Sequence, residues 1–197
     1  MSGVRRFAQW GLWFGGALIL LAALLIGVDV LMRKFFARSM GGADELAGYA
    51  LAIGTTWGLG AALLDRAHIR IDSLYVLFPQ KLRLLLDTVA LILLTGFFAL
   101  IAWHGAGVVS QSWTSGSRSQ SALETPTVVP QAIWIAGLVV FVLTGAFLLV
   151  SALRLGFTGD LRGMAQLIST RSAEEEVEDE IRDLKDRQER NEAREGS

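Results

Sequence analysis

Two histidines and no cysteine set the limits of the chemistry open to this 197-residue chain. Without a thiol there is no disulfide, no thiolate nucleophile and no Cys-held metal or iron–sulfur centre. His68 and His104 lie in different segments, so no histidine pair stands at the spacing of a zinc hydrolase helix. No Gly-Lys dipeptide occurs, which removes the phosphate-cradling loop of an ATPase. Gly105, Ala106 and Gly107 lack the third glycine of a dinucleotide fingerprint and read as small-residue packing. The expectation is a protein that is not an enzyme, with no catalytic, substrate-binding or metal site and no cofactor.

The polar residues that remain are few and lie at the ends of apolar runs. Asp29 stands four residues before Arg33, close enough to pair on one helical face. Glu45 opens a second run. His68, Arg70 and Asp72 alternate in a charged gap, where Asp72 would sit near a helix N-terminus and favour its dipole. His104 lies deep in an apolar run with no acidic neighbour at helical spacing, so packing or a hydrogen bond is expected of it rather than proton relay. Charge is expensive in lipid, and a transporter normally shows it as a path of ionisable groups or a broken binding helix. Neither pattern is present, which argues against a chain that moves solute by itself.

The elements that must position these residues are four uncharged runs, at 7–28, 46–64, 88–117 and 125–153. A helix needs roughly 20 apolar residues to cross about 30 Å of hydrocarbon at 1.5 Å per residue. Bare backbone polar groups are not tolerated in lipid, so the runs read as helices and not strands. The fold class is all-α and integral to the membrane, with four transmembrane helices at about 9–32, 45–65, 86–109 and 130–153. These make a transmembrane domain over 1–160, and 161–197 is a charged tail, helical or disordered. Arg5-Arg6 before the first run imitates an export signal, but the run is too long and lacks a small-residue cleavage site, so it is expected to stay as an anchor.

Charge sets the expected orientation. Nine Lys/Arg flank the membrane on the side of the N-terminus, the second gap and the end of helix four, against four on the other side. By the positive-inside rule both termini are cytoplasmic. Within the second gap, Ile71, Leu74, Tyr75 and Phe78 fall on one helical face, predicting an amphipathic helix along the interface until Pro79. The third gap is rich in Ser and Thr, turns at 115–117, and leads into helix four through Pro126 and Pro130. Trp10, Trp13, Trp113 and Trp134 are placed at the interfaces, where indoles prefer to lie.

Small residues mark where helices can approach. Helix two carries Ala50, Gly54, Gly58 and Ala62, and helix one carries Gly11 and Gly15, both at four-residue spacing. Residues 1–168 hold 12 Lys/Arg against 8 Asp/Glu, whereas 169–197 hold 6 against 11. The acidic tail repeats Val177, Ile181 and Leu184 at coiled-coil spacing but continues it with Gln188 and Asn191, so a solvated cytoplasmic helix is expected.

Three stretches together resemble the small membrane subunit of tripartite ATP-independent periplasmic (TRAP) transporters. Residues 29–39 with Asp44 and Glu45 resemble that family's exit from helix one. Residues 63–72 keep its His-x-Arg-x-Asp register as His68, Arg70 and Asp72, although Ala67 stands where a glycine would precede the histidine. Residues 124–134, with Pro126 and Pro130, are similar to its lead into helix four. The resemblance spans roughly residues 5–155; the charged tail departs from it. It implies a scaffold in the bacterial inner membrane that supports a large permease subunit, helps seat a periplasmic solute-binding protein, and serves ion-coupled symport of a carboxylate-type solute. Its partners would be those two proteins and the lipid bilayer, with no nucleic acid. Two other readings are open: a haem-carrying anchor, for which His104 would need a second histidine nearby, and a purely structural tetraspan protein.

Overall fold

Each apolar run forms one unbroken helix. The computed structural model describes residues 2–65 and 78–169, together with 181, 184, 185, 187 and 188. Its elements are α1 (Ser2–Phe36), α2 (Ala43–Leu64), α3 (Gln80–Ser115), α4 (Val128–Phe157) and a short α5 (Leu161–Ile168). All four long helices are apolar enough to cross a membrane, and the chain is a multi-pass membrane protein. At about 1.5 Å per residue, α3 runs for about 54 Å, well beyond a hydrocarbon core of about 30 Å. Three of the long helices overrun their expected spans at both ends, since charged residues such as Arg33, Lys81 and Arg154 limit burial in lipid without stopping a helix.

The breaks fall where the backbone turns left-handed or meets proline. α1 gives way at Ala37 (φ 52°), and α2 starts after Gly41 (φ 64°) and Gly42 (φ 109°). α3 stops on Gly116 in the left-handed conformation, with Ser117 N–H donating back to the Ser112 carbonyl at 3.1 Å. Pro130 occupies the third position of α4, in the first turn, where its missing N–H costs nothing. Between these helices Arg118 and Pro126 form an isolated β-bridge, the only strand-like pairing among the described residues.

The helices pack as an open row. α1 rests on α2, α2 on α4, and α4 on α3, while α5 crosses the end of α3 and α4. The buried share of each apolar span follows this order: 39% for α2 and 33% for α4, against 11% for α1 and 22% for α3. α2 and α4 are therefore the interior of the row, and α1 and α3 are its edges.

The seams differ. Along α1–α2, glycines face backbone: a Cβ on Gly54 would lie 2.8 Å from the Gly15 carbonyl, and one on Gly11 2.7 Å from that of Trp57. Trp57 joins three helices, with Phe7 tilted against it at 6.3 Å, Phe14 meeting it edge-on at 5.8 Å, and its indole N–H donating to the Ile133 carbonyl of α4 at 3.0 Å. Along α3–α4, side chains interdigitate. Phe98 meets Phe141 edge-on at 4.6 Å, and Phe141 joins Leu63, Leu91 and Leu148 in the main core.

The amphipathic helix expected between helices two and three falls on residues 66–77, outside the described residues; of its apolar positions Phe78 alone is described.

Candidate functional site

Two polar clusters, at opposite ends of the helices, hold most of the buried chemistry. The first gathers the end of α1, the start of α2 and the loop between α3 and α4. Asp29 is 2% exposed and accepts hydrogen bonds from Met40 N–H (2.6 Å) and Ser39 Oγ (3.1 Å). The pairing suggested by spacing forms, with Arg33 Nη2 at 2.6 Å from Asp29, and the same nitrogen lies 3.5 Å from Asp44. Burying a carboxylate without partners is prohibitive, so these donors are what allow Asp29 inside. The loop that supplies them needs a glycine at position 42, whose φ of 109° is strained for any residue with a Cβ.

Glu45 closes this end from the other side. Ser121 Oγ donates to Glu45 Oε2, joining residues 76 apart in sequence, and the hydroxyls of Thr125, Tyr49 and Ser119 face the same carboxylate. The α3–α4 loop is itself braced: Ser119 N–H donates to the Thr125 carbonyl at 2.9 Å, Thr125 N–H to Ser119 Oγ at 2.9 Å, and Arg118 Nη1 to the Glu124 carbonyl at 3.2 Å. Pro126 ends that loop and Pro130 is buried in the first turn of α4. Beneath lies a mostly apolar cleft of about 160 Å³ between α2 and α4, lined by Tyr49, Ile53, Thr127, Pro130, Gln131 and Trp134. One oxygen each of Glu45 and Gln131 is buried without a hydrogen-bond partner among the described residues.

The second cluster is at the opposite end. Asp87 of α3 is fully buried and accepts from Ser169 Oγ at 2.6 Å, just past α5. One turn earlier, Arg83 Nε donates to the Phe78 carbonyl at 2.7 Å. α5 starts on Asp160, whose carboxylate accepts from Gly163 N–H at 2.9 Å, and its apolar face seats Met164 against Leu84 and Ala152.

Of the residues singled out from sequence, Asp29, Arg33 and Glu45 belong to the first cluster, with Pro126 and Pro130 beside it. Gly54 is in backbone contact with α1, but a Cβ on Gly58 would meet only Leu12, at an ordinary 3.7 Å. His68, Arg70 and Asp72 lie outside the described residues. His104 departs from expectation: it is exposed on α3, pointing away from the row, with no hydrogen-bond partner among the described residues. The reason is the row itself, since an edge helix offers only one face for packing. Trp134 packs over Gly105, whereas Trp10, Trp13 and Trp113 are 76%, 79% and 74% exposed.

Asp87, Ser169, Ser121 and Trp57 were not identified from sequence. For α5 a signal existed in the spacing of Leu161, Met164 and Ile168 behind the capping Asp160. For Glu45–Ser121 and Asp87–Ser169 there was none, because the partners are 76 and 82 residues apart.

Among the described residues no group of three His, Asp or Glu is placed to hold a metal ion. The clusters bond helix ends to loops, and among the described residues the helix interior between them carries no charge. Such an arrangement can fix the positions of four helices.

Residues 10–155 match the family model described as tripartite ATP-independent periplasmic transporters, DctQ component. No curated protein and no solved structure matches the chain.

Proposed function

The chain belongs to the DctQ family of TRAP transporter components, a family of transporter parts and not of enzymes, and from that premise we propose that it is the static scaffold of its transporter. In this reading it sits in the inner membrane with both termini cytoplasmic and holds a large permease subunit, which itself binds solute and coupling ion. The end bearing Asp29 and Glu45 then faces the periplasm, where it supports docking of the solute-binding protein. The solute is a small carboxylate and the import is ion-coupled symport.

The observation that carries the reading is the family match through all four long helices. The charge distribution supports the orientation, because nine flanking Lys/Arg fall on the cytoplasmic side and four on the other. The interior supports the static role. Asp29 and Glu45 at one end and Asp87 at the other are tied to neighbouring segments, and a part that changed shape in transport would have to break those ties.

Co-expression with the large permease subunit tests the assignment. A tagged copy of this chain is expected to bring that subunit with it through solubilisation and gel filtration; recovery of the chain alone, with the permease folded in the same membrane, would contradict it. The absence of native cysteine makes the orientation testable as well. Ser117→Cys is expected to react with an impermeant maleimide added to intact cells, and Ser2→Cys only after lysis; the reverse pattern would invert the topology.

A further inference from the structure

The outward face of α3 carries a polar side chain at a depth where lipid cannot serve it. Gly96, Leu100, His104, Gly107 and Gln111 follow one another at spacings of four, four, three and four residues and are all exposed. They form one stripe, opposite the face that seats Leu91, Thr95 and Gly105 toward α4. Nothing lies within 4 Å of where a Cβ on Gly96 or Gly107 would be, so the stripe is shallow at both points.

His104 sits about 9 Å along the axis below Ser110 and about 13 Å below Trp113, at 1.5 Å per residue. Trp113 is 74% exposed and is the indole expected at the interface from the sequence. An imidazole is too short to reach headgroups from that depth, and acyl chains offer neither a donor nor an acceptor. Its ring N–H therefore needs a polypeptide partner. The other edge of the row differs. The outer face of α1 also has open glycines, Gly16 and Gly27, but between Gln9 and Arg33 it presents only apolar residues, because Asp29 points inward. Lipid satisfies that face completely.

We infer that the His104 stripe of α3 is the surface on which a transmembrane helix of the large permease subunit lies. That helix approaches closely at Gly107 and Gly96 and presents a hydrogen-bonding side chain at the depth of His104. The inference rests on the scaffold reading, which supplies a second polypeptide in the same membrane, and goes beyond it by naming the face and the chemistry of contact.

The test places a photocrosslinking amino acid at Leu100, or at Leu20 or Leu24 on α1, in the full chain co-expressed with the large permease subunit. A permease adduct is expected from Leu100 and not from the α1 positions. Permease adducts from α1 only, an adduct with a second copy of this chain, or lipid adducts alone from Leu100 would each overturn the inference. If the tagged chain does not retain the permease at all, the scaffold reading falls and the inference with it. If the permease is retained but Leu100 is silent, the inference falls alone. A second measurement isolates the hydrogen bond: His104→Phe should lower recovery of the complex about threefold to tenfold, and His104→Gln should hold it within about twofold. Thermal unfolding of the isolated subunit should be the same for both variants, since His104 has no bonded partner among its described residues. Full recovery with His104→Phe would show that the stripe meets no such partner.

Discussion

The α1–α2 seam and the α3–α4 seam solve the same problem by opposite means. Lipid gives two helices no hydrophobic reason to associate, so contact must come from close approach or from shape. α1 uses close approach, with Gly11 and Gly15 laid against the backbone of Trp57 and Gly54. α3 uses shape, through Phe98 on Phe141 and the Leu91 cluster, and is then fastened at one end by Asp87 and Ser169. A backbone seam has no give, because moving its atoms moves the whole helix. A side-chain seam can adjust by rotating what it packs. The edges behind the seams differ in the same sense: the outer face of α1 asks nothing more than lipid, whereas that of α3 holds His104 up to it.

Substitutions at matched glycines should break this comparison if it is wrong. Gly54→Ala puts a methyl 2.8 Å from the Gly15 carbonyl and is expected to destabilise the subunit by about 2–3 kcal/mol, the largest effect of those considered. Gly145→Ala meets the side chain of Thr95 and not backbone, and should cost about 1 kcal/mol. Equal losses, measured by steric trapping or thermal unfolding in one detergent, would erase the distinction between the seams.

The fastenings give smaller effects. Ser169→Ala removes one hydrogen bond to Asp87 and should cost about 1 kcal/mol, with faster amide exchange confined to α5 and the adjoining turn. Exchange that quickened equally along α1 would mean that α5 braces the whole row. Gly58→Ala should be neutral or stabilise by up to about 1 kcal/mol, since its Cβ has room and alanine is the better helix former. A clear loss at Gly58 would return it to the contact that its spacing from Gly54 suggested.

The four spans and the Asp29–Arg33 pair were legible in the sequence because each depends on residues close along the chain. Span length is a local property, and residues four apart share a helical face. Pro126 and Pro130 were legible for the same reason, as local breakers before a first turn. The order of helices in the row was not. Gly54 and Gly58 are equivalent as a pattern, and only the crossing of α1 decides which one touches backbone. Ser121 and Ser169 were invisible as partners, for nothing near them in the chain indicates Glu45 or Asp87. His104 was misplaced by the same gap: an apolar run does not reveal whether its helix stands inside the row or at its edge.

The claim that joins these features is that the chain holds a transporter together without moving solute itself. Uptake into proteoliposomes tests it directly, with a panel of labelled carboxylates, an imposed sodium gradient and three compositions: this chain alone, the large permease subunit alone, and both together with the solute-binding protein. Uptake above leak is expected from the complete set and none from this chain alone. Sustained, gradient-driven accumulation by the chain alone would contradict the scaffold account outright.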